Sequence, residues 1–147
     1  MKNVTISIAA TPEAIRRCHP VMRELRTHIH NAERFLERVQ RQQKGGYLLA
    51  FLESEGEVRA AVGYRFLEKL LSGRYLYVDD LVTRESDRSQ GYGEQLFAWL
   101  IEQAREHGCE NLELDSGVQR HDAHRFYLVN GMRISAHHFK IKIEHQR

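Results

Sequence analysis

Arg88-Ser89-Gln90-Gly91-Tyr92-Gly93 joins an apolar, strand-like run (Tyr75 to Thr83) to an amphipathic, helix-like run (Glu94 to His107). The two glycines let the backbone turn tightly and leave its amides unshielded, because neither carries a Cβ. A helix that starts directly after them presents unpaired N–H groups and the positive end of its dipole. Strand, glycine turn and helix start together make a cradle for an anionic group, most simply a phosphate or pyrophosphate. Arg88 adds a cation at its mouth.

Upstream of this stretch, Val4, Ile6 and Ile8 alternate with Thr5 and Ser7, which predicts a short strand with one buried face. Thr11-Pro12-Glu13 is a good helix start: a cap, a proline in the first turn and an acid against the dipole. Ile15, Cys18, Met22 and Leu25 keep helical spacing, and Pro20 predicts a kink or split near His19. Asn31 caps a second helix with Phe35, Leu36 and Val39 on its apolar side, stopped by Gly45-Gly46. The link between the two helices, Thr27 to His30, is the expected mobile loop on the substrate side. Tyr47 to Leu52, the turn at Glu55-Gly56, Val58 to Phe66 and, after a connection over Glu68 to Arg74, Tyr75 to Thr83 read as an antiparallel meander.

Downstream the pattern changes. The helix Glu94 to His107 ends at Gly108, and a strand (Asn111 to Leu114), a helix (Asp122 to Val129), Gly131 and a strand (Met132 to Ile143) follow. A strand–helix–strand unit of this length implies a parallel pair with a right-handed crossover. The order βααβββαβαβ predicts a mixed α/β sheet with helices on both faces.

At 147 residues the chain is expected to be one domain, residues 1–147. Its 41% hydrophobic and 29% charged content suits a soluble globular protein, and a net charge of +2 argues against bulk electrostatic binding to nucleic acid. Cys18 and Cys109 lie far apart and read as reduced, small apolar residues. No run approaches the ~20 apolar residues of a membrane helix, and none resembles a signal peptide, so the cytoplasm is the default location. His121-x-x-His124 and His137-His138 are better read as surface or pocket histidines than as metal ligands, and no metal is expected.

The Arg-x-x-Gly-x-Gly spacing after a strand resembles the pyrophosphate loop of the GNAT superfamily of acyl-CoA-dependent N-acetyltransferases. A second stretch, Ala123-His124-Arg125-Phe126-Tyr127-Leu128-Val129-Asn130-Gly131-Met132, resembles that superfamily's other signature, about 30 residues further on. Arg120-His121-Asp122-Ala123-His124-Arg125-Phe126-Tyr127 also resembles the aminoalkylphosphonate N-acetyltransferases within it. Arg120 stands where many members carry an asparagine, so that residue's contact with CoA does not carry over. The GNAT fold has the element order read above from periodicity.

The resemblance implies transfer of an acetyl group from acetyl-CoA to the primary amine of a small molecule, by direct attack in a ternary complex. Such a reaction needs a deprotonated amine, a polarised carbonyl and a proton for the departing thiolate. Asp79 and Asp80 sit inside an apolar strand, where a charge is costly unless paired. Alternation predicts that they face opposite sides, with Tyr77, Asp79 and Leu81 on one face. The position of Asp79 matches an acid that many members point at the acceptor amine, as base, relay or ammonium anchor. A carboxylate paired to an arginine or capping a helix is the structural alternative, and it is the favoured reading for Asp80. Tyr127 matches the tyrosine that protonates the CoA sulfur; its alternative is a core-edge aromatic. The resemblance assigns pyrophosphate contacts to Arg88, Ser89, Gln90, Gly91, Tyr92 and Gly93. It assigns strand-like pairing with the pantetheine to the backbone of Leu81, Val82 and Thr83. Ser116 and Arg120 are expected either at the cleft or as plain loop residues. Arg23, Arg26, His28 and His30 would suit an acceptor with an anionic group. A homodimer, with the C-terminal strand as exchange surface, is common for the fold.

Two other readings stay open at this point. One is a GNAT module that binds CoA without turnover. The other is a dinucleotide-binding protein, with Asp115 as the ribose acid, although Leu96 occupies the third glycine position.

Overall fold

The computed structural model describes residues 3–146. Its elements in chain order are β1 (Val4–Ile8), α1 (Pro12–Leu25), α2 (Ala32–Gln43), β2 (Leu48–Ser54), β3 (Glu57–Lys69) and β4 (Gly73–Thr83). A single 3-10 turn (Glu85–Asp87), α3 (Tyr92–Glu106), β5 (Asn111–Leu114) and α4 (His121–Val129) complete them. These residues form two compact units divided between Leu114 and Asp115.

In the first unit the helix starts are chemical. The Thr11 hydroxyl accepts from the Ala14 amide, and the Asn31 side chain accepts from the amides of Glu33 and Arg34. These bonds satisfy donors that a helix start otherwise leaves open. α1 runs unbroken through Pro20, so of the kink or split expected near His19 the split does not occur. Pro20 lies on the exposed side, where water can take the carbonyl it leaves unbonded, while Ile15, Cys18, Val21 and Met22 stay buried.

The five strands lie in the order β1-β2-β3-β4-β5, with β1 to β4 antiparallel and β4–β5 parallel. Alternation divides the sheet into two faces. Leu49, Phe51 and Ala61 pack with Ile15, Met22 and Phe35 of the α1–α2 layer. Ala50, Leu52, Val62 and Tyr64 pack with Leu96 and Leu100 of α3. The predicted mixed α/β sheet with helices on both faces is what forms.

In the second unit α4 ends at Val129 with Asn130 as its cap, and Gly131 beyond it takes φ +92°, a left-handed conformation that glycine adopts without strain. The Asn130 side chain donates to the Phe126 carbonyl at 2.8 Å, and the Met132 amide donates to the Tyr127 carbonyl at 3.0 Å. Residues 132–146 carry no helix or strand, so the strand expected from Met132 to Ile143 is not formed. The alternation that suggested it is real, but Phe139, Ile141 and Ile143 are 90%, 84% and 66% exposed. A strand forms on a partner's backbone, and side-chain alternation alone supplies none.

Candidate active site

β3 pairs Gly63 with Asp80 and then, one step on, Tyr64 with Val78. β4 therefore carries one extra residue at this point, Asp79. Such a bulge leaves the extra residue unpaired and re-aims the side chains around it. On one side of it, Leu76 and Val78 belong to the α3 core. On the other, Leu81 packs against the α3 core and Val82 joins the α1–α2 core. The parity of the strand has flipped. Tyr77, Asp79 and Asp80 consequently line one cavity of about 340 Å³ on the α1–α2 face. Simple alternation put Asp80 away from Asp79 and put Leu81 beside it; the bulge overturns both.

The rest of the cavity comes from the helical layer. Arg26 and His28 reach it from the end of α1 and the following loop, and Arg38 and Gln42 from α2. Tyr47 closes one side, its ring laid over Gly63, where a Cβ would run into the hydroxyl. Arg65 donates from Nε to both Asp79 oxygens at 2.9 and 3.2 Å, and from Nη2 to Gln42 Oε1 at 2.7 Å. Arg26 donates from Nε to Asp80 Oδ1 at 2.7 Å and from Nη2 to the Asp79 carbonyl at 2.9 Å. The Tyr47 hydroxyl donates to Asp80 Oδ2 at 2.8 Å.

Both carboxylates are thus held in part-buried ion pairs, the arrangement that makes such charges tolerable away from water. Burial nevertheless pushes the Asp79 carboxyl above its ordinary value, with Arg65 pulling it down and the charge of Asp80 pushing it up. Burial and the neighbouring Asp80 charge push the Tyr47 phenol far up, so it stays a donor. An acid raised in this way can take a proton from an ammonium at lower cost than an exposed one.

β4 continues past the bulge to Thr83 while β5 pairs with it only from Tyr75 to Val78. Among the described residues of the first unit, no strand pairs with the β5 side of Leu81, Val82 and Thr83, so within that unit this edge of the backbone can take an extended ligand. The chain then passes through the 3-10 turn to Arg88, Ser89 and Gln90, all exposed. Ser89 and Gly91 take φ +67° and +84°. α3 starts directly after Gly91 with no side-chain cap, and Tyr92 anchors it in the α3 core. Its first amides therefore lack the side-chain acceptor that α1 and α2 have. A Cβ at Gly91 would meet nothing within 4 Å, so space lies open above that backbone. A phosphate fits this surface chemically, with Arg88 and Ser89 as added side-chain donors.

The turn before the loop is fixed from below. Arg59 is the extra residue of a second bulge, in β3, and is buried. Its Nη1 donates to Asp87 Oδ1 at 3.1 Å, and Arg84 Nε donates to Asp87 Oδ2 at 2.6 Å. The Arg84 amide donates to the Arg59 carbonyl at 2.8 Å, and Glu24 of α1 accepts from the Glu85 amide at 2.8 Å.

Tyr127 belongs to the second unit, on α4. Burial raises its phenol above the ordinary value, with Arg120 opposing, so the proton is held at neutral pH. Ser116 keeps a buried hydroxyl that has no hydrogen-bond partner among the described residues. His124 Nε2 lies 2.8 Å from the Gly117 carbonyl, and His138 Nδ1 3.5 Å from Asp115.

Of the four residues expected to favour an anionic acceptor group, Arg26 and His28 line the cavity and Arg23 and His30 do not. Sequence reasoning missed Tyr47, Arg65 and Arg38 as site residues, and missed the Arg59–Asp87 pair. One signal was available. Arg59 and Arg65 interrupt the otherwise apolar run 58–67 of β3, and a buried cation requires a carboxylate to face it.

The sequence pattern described as the Acetyltransferase (GNAT) family matches residues 10–132. The chain is 39% identical over 110 residues to the uncharacterized N-acetyltransferase YhdJ of Bacillus subtilis, covering 74% of this chain and 77% of that protein. It is 44% identical over 63 residues to an aminoalkylphosphonate N-acetyltransferase of Salmonella typhimurium, over 43% of this chain and 40% of that protein. A solved structure described as a transcriptional regulator from Bacillus halodurans superposes with a TM-score of 0.82 at 25% identity, over 96% of this chain and all of that one. With the bulged β4, the glycine turn and the uncapped α3 start already in place, the match settles the assignment: the chain belongs to the acetyltransferase (GNAT) family and is an N-acetyltransferase.

Proposed function

We propose that this protein moves the acetyl group of acetyl-CoA directly to the primary amine of a small molecule, with both substrates bound at once. The observation that carries the reading is the course of β4. One strand bears Asp79 and Asp80 in a cavity and then runs, over an edge that β5 leaves free, into the glycine turn. An acceptor pocket and an anion cradle thus lie along one strand, as a two-substrate transfer requires. The amides of Gly91, Tyr92 and Gly93, with Gln90, Ser89 and Arg88, would hold the pyrophosphate. The backbone of Leu81, Val82 and Thr83 would pair with the pantetheine. When bound, acetyl-CoA supplies the activated acyl carbon.

In this proposal Asp79 takes the ammonium proton or anchors the amine, and Tyr127 gives its proton to the departing sulfur. The raised Asp79 carboxyl and the protonated phenol support these roles. The Salmonella relative, named for an aminoalkylphosphonate acceptor, supports a small-molecule amine. That the whole chain works as one domain belongs to the proposal too, supported by a family match that spans both units. So does a cytoplasmic location, supported by two unbridged cysteines; among the described residues no helix is long and apolar enough to cross a membrane. Pairing of two copies through residues 132–146 is the assembly we infer from their exposed, alternating apolar side chains.

The test is binding first and turnover second. Thermal shift with acetyl-CoA, CoA and NADH in parallel is expected to show stabilisation by the CoA compounds alone. Thiol release with a panel of primary amines then follows. A shift with NADH and none with acetyl-CoA would overturn the reading in favour of a dinucleotide site. Binding without turnover of any primary amine would leave a CoA-binding module.

A further inference from the structure

Two guanidiniums, Arg26 and Arg38, and two carboxylates, Asp79 and Asp80, line the acceptor cavity, and a third guanidinium, Arg65, braces Asp79 from outside the lining. Asp80 is paired with Arg26, and Asp79 with Arg65. Arg38 also lines the cavity, from the exposed side of α2, and among the described residues it has no hydrogen bond or ion pair. His28 stands at the same wall, likewise without a partner among the described residues. With its two ion pairs cancelled, the pocket keeps one unneutralised guanidinium.

We propose that Arg38 binds an anionic group on the acceptor, so that the substrate is a compact zwitterion: a primary amine at Asp79 and a carboxylate or phosphonate at Arg38. The inference rests on the acetyltransferase reading and names the substrate class of that site. A simple alkylammonium would enter a pocket that already carries a net positive charge, and would leave Arg38 partly desolvated and unpaired. A zwitterion cancels both costs, and it fixes its own orientation, because its two ends cannot exchange places. A guanidinium fork accepts either anion through paired N–H donors, with His28 as a further donor. The volume of about 340 Å³ is at the small end of ligand pockets, and it suits a molecule of a few bonds between its charged ends. Arg26, one of the four residues that sequence reasoning offered for this role, is already committed to Asp80 and the Asp79 carbonyl.

The experiment compares three primary amines of similar length, 2-aminoethylphosphonate, β-alanine and propylamine, by thiol release from acetyl-CoA. The variants are the wild type, Arg38→Gln and Arg38→Lys, each checked for an unchanged melting curve. The expected result is at least a tenfold preference in kcat/KM for one or both anionic acceptors over propylamine. Arg38→Gln should collapse that ratio at least tenfold, mainly through KM, and Arg38→Lys should restore part of it. The two anionic acceptors tell a phosphonate site from a carboxylate site. A wild type that prefers propylamine, or that turns over propylamine and neither anionic amine, would overturn the proposal while leaving the acetyltransferase reading intact. So would an Arg38→Gln loss equal for all three amines. Failure to bind acetyl-CoA would instead sink the reading beneath it.

Discussion

Asp79 owes its position to a single unpaired residue in β4, and its chemistry to what surrounds it there. Burial raises its carboxyl while Arg65 pulls the other way. As a base it must be ionised, so activity is expected to fall as pH drops through its raised pKa. The acid limb of the kcat/KM profile should therefore lie above 3.8, the carboxyl's ordinary value. Asp79→Asn should remove that limb and lower kcat by about 10²–10⁴-fold, leaving the KM for acetyl-CoA nearly unmoved. A pH–rate profile of both proteins checks this; an unchanged limb would take the base role away from Asp79. Neither the second carboxylate in the cavity nor the flipped face of Leu81 could be read from the sequence. A bulge has no composition of its own, and one inserted residue reverses every side chain beyond it. Gly63 was its nearest trace: it sits opposite Asp80 and leaves room for the Tyr47 ring.

The glycine loop was legible for the opposite reason. Gly91 sits at a left-handed φ where other residues are strained, so the conformation had to write itself into the sequence. The same holds for the capped starts of α1 and α2, whose Thr11 and Asn31 are local signals. What holds the loop from below is not local. Arg59 and Asp87 lie 28 residues apart and meet only once β3 and the 3-10 turn are assembled. If that pair positions the loop, Asp87→Asn should weaken both folding and nucleotide binding. Breaking a buried ion pair outright costs about 3–5 kcal/mol, and an asparagine that keeps one acceptor oxygen should cost less. The expected signature is a lowered melting temperature together with a several-fold higher KM for acetyl-CoA and an unaltered KM for the amine. Equal rises in both KM values would mean general loosening, and would remove the loop-positioning role. Measuring both substrates on one variant separates the outcomes.

At the scale of the whole molecule, the alternating apolar side chains of residues 132–146 are exposed although they keep the spacing of a strand. Elsewhere alternation predicted strands that formed, because another strand of the sheet supplied a backbone edge and the sheet buried the apolar face. Here the pattern is as clear, with Phe139, Ile141 and Ile143 alternating against Lys140 and Lys142, yet the apolar side faces water. Three large apolar side chains at two-residue spacing on one exposed segment are a strand seeking an edge. A second copy is the partner that explains both the alternation and the exposure, since each chain brings an identical segment and the contact closes on itself. The chain is therefore expected to run as a dimer in light scattering behind a sizing column. Phe139→Glu, placing a charge in the middle of the apolar row, should shift it to the monomer mass. A wild type that is monomeric at high concentration would remove the second copy as the partner. A variant that stays dimeric would move the interface elsewhere on the molecule.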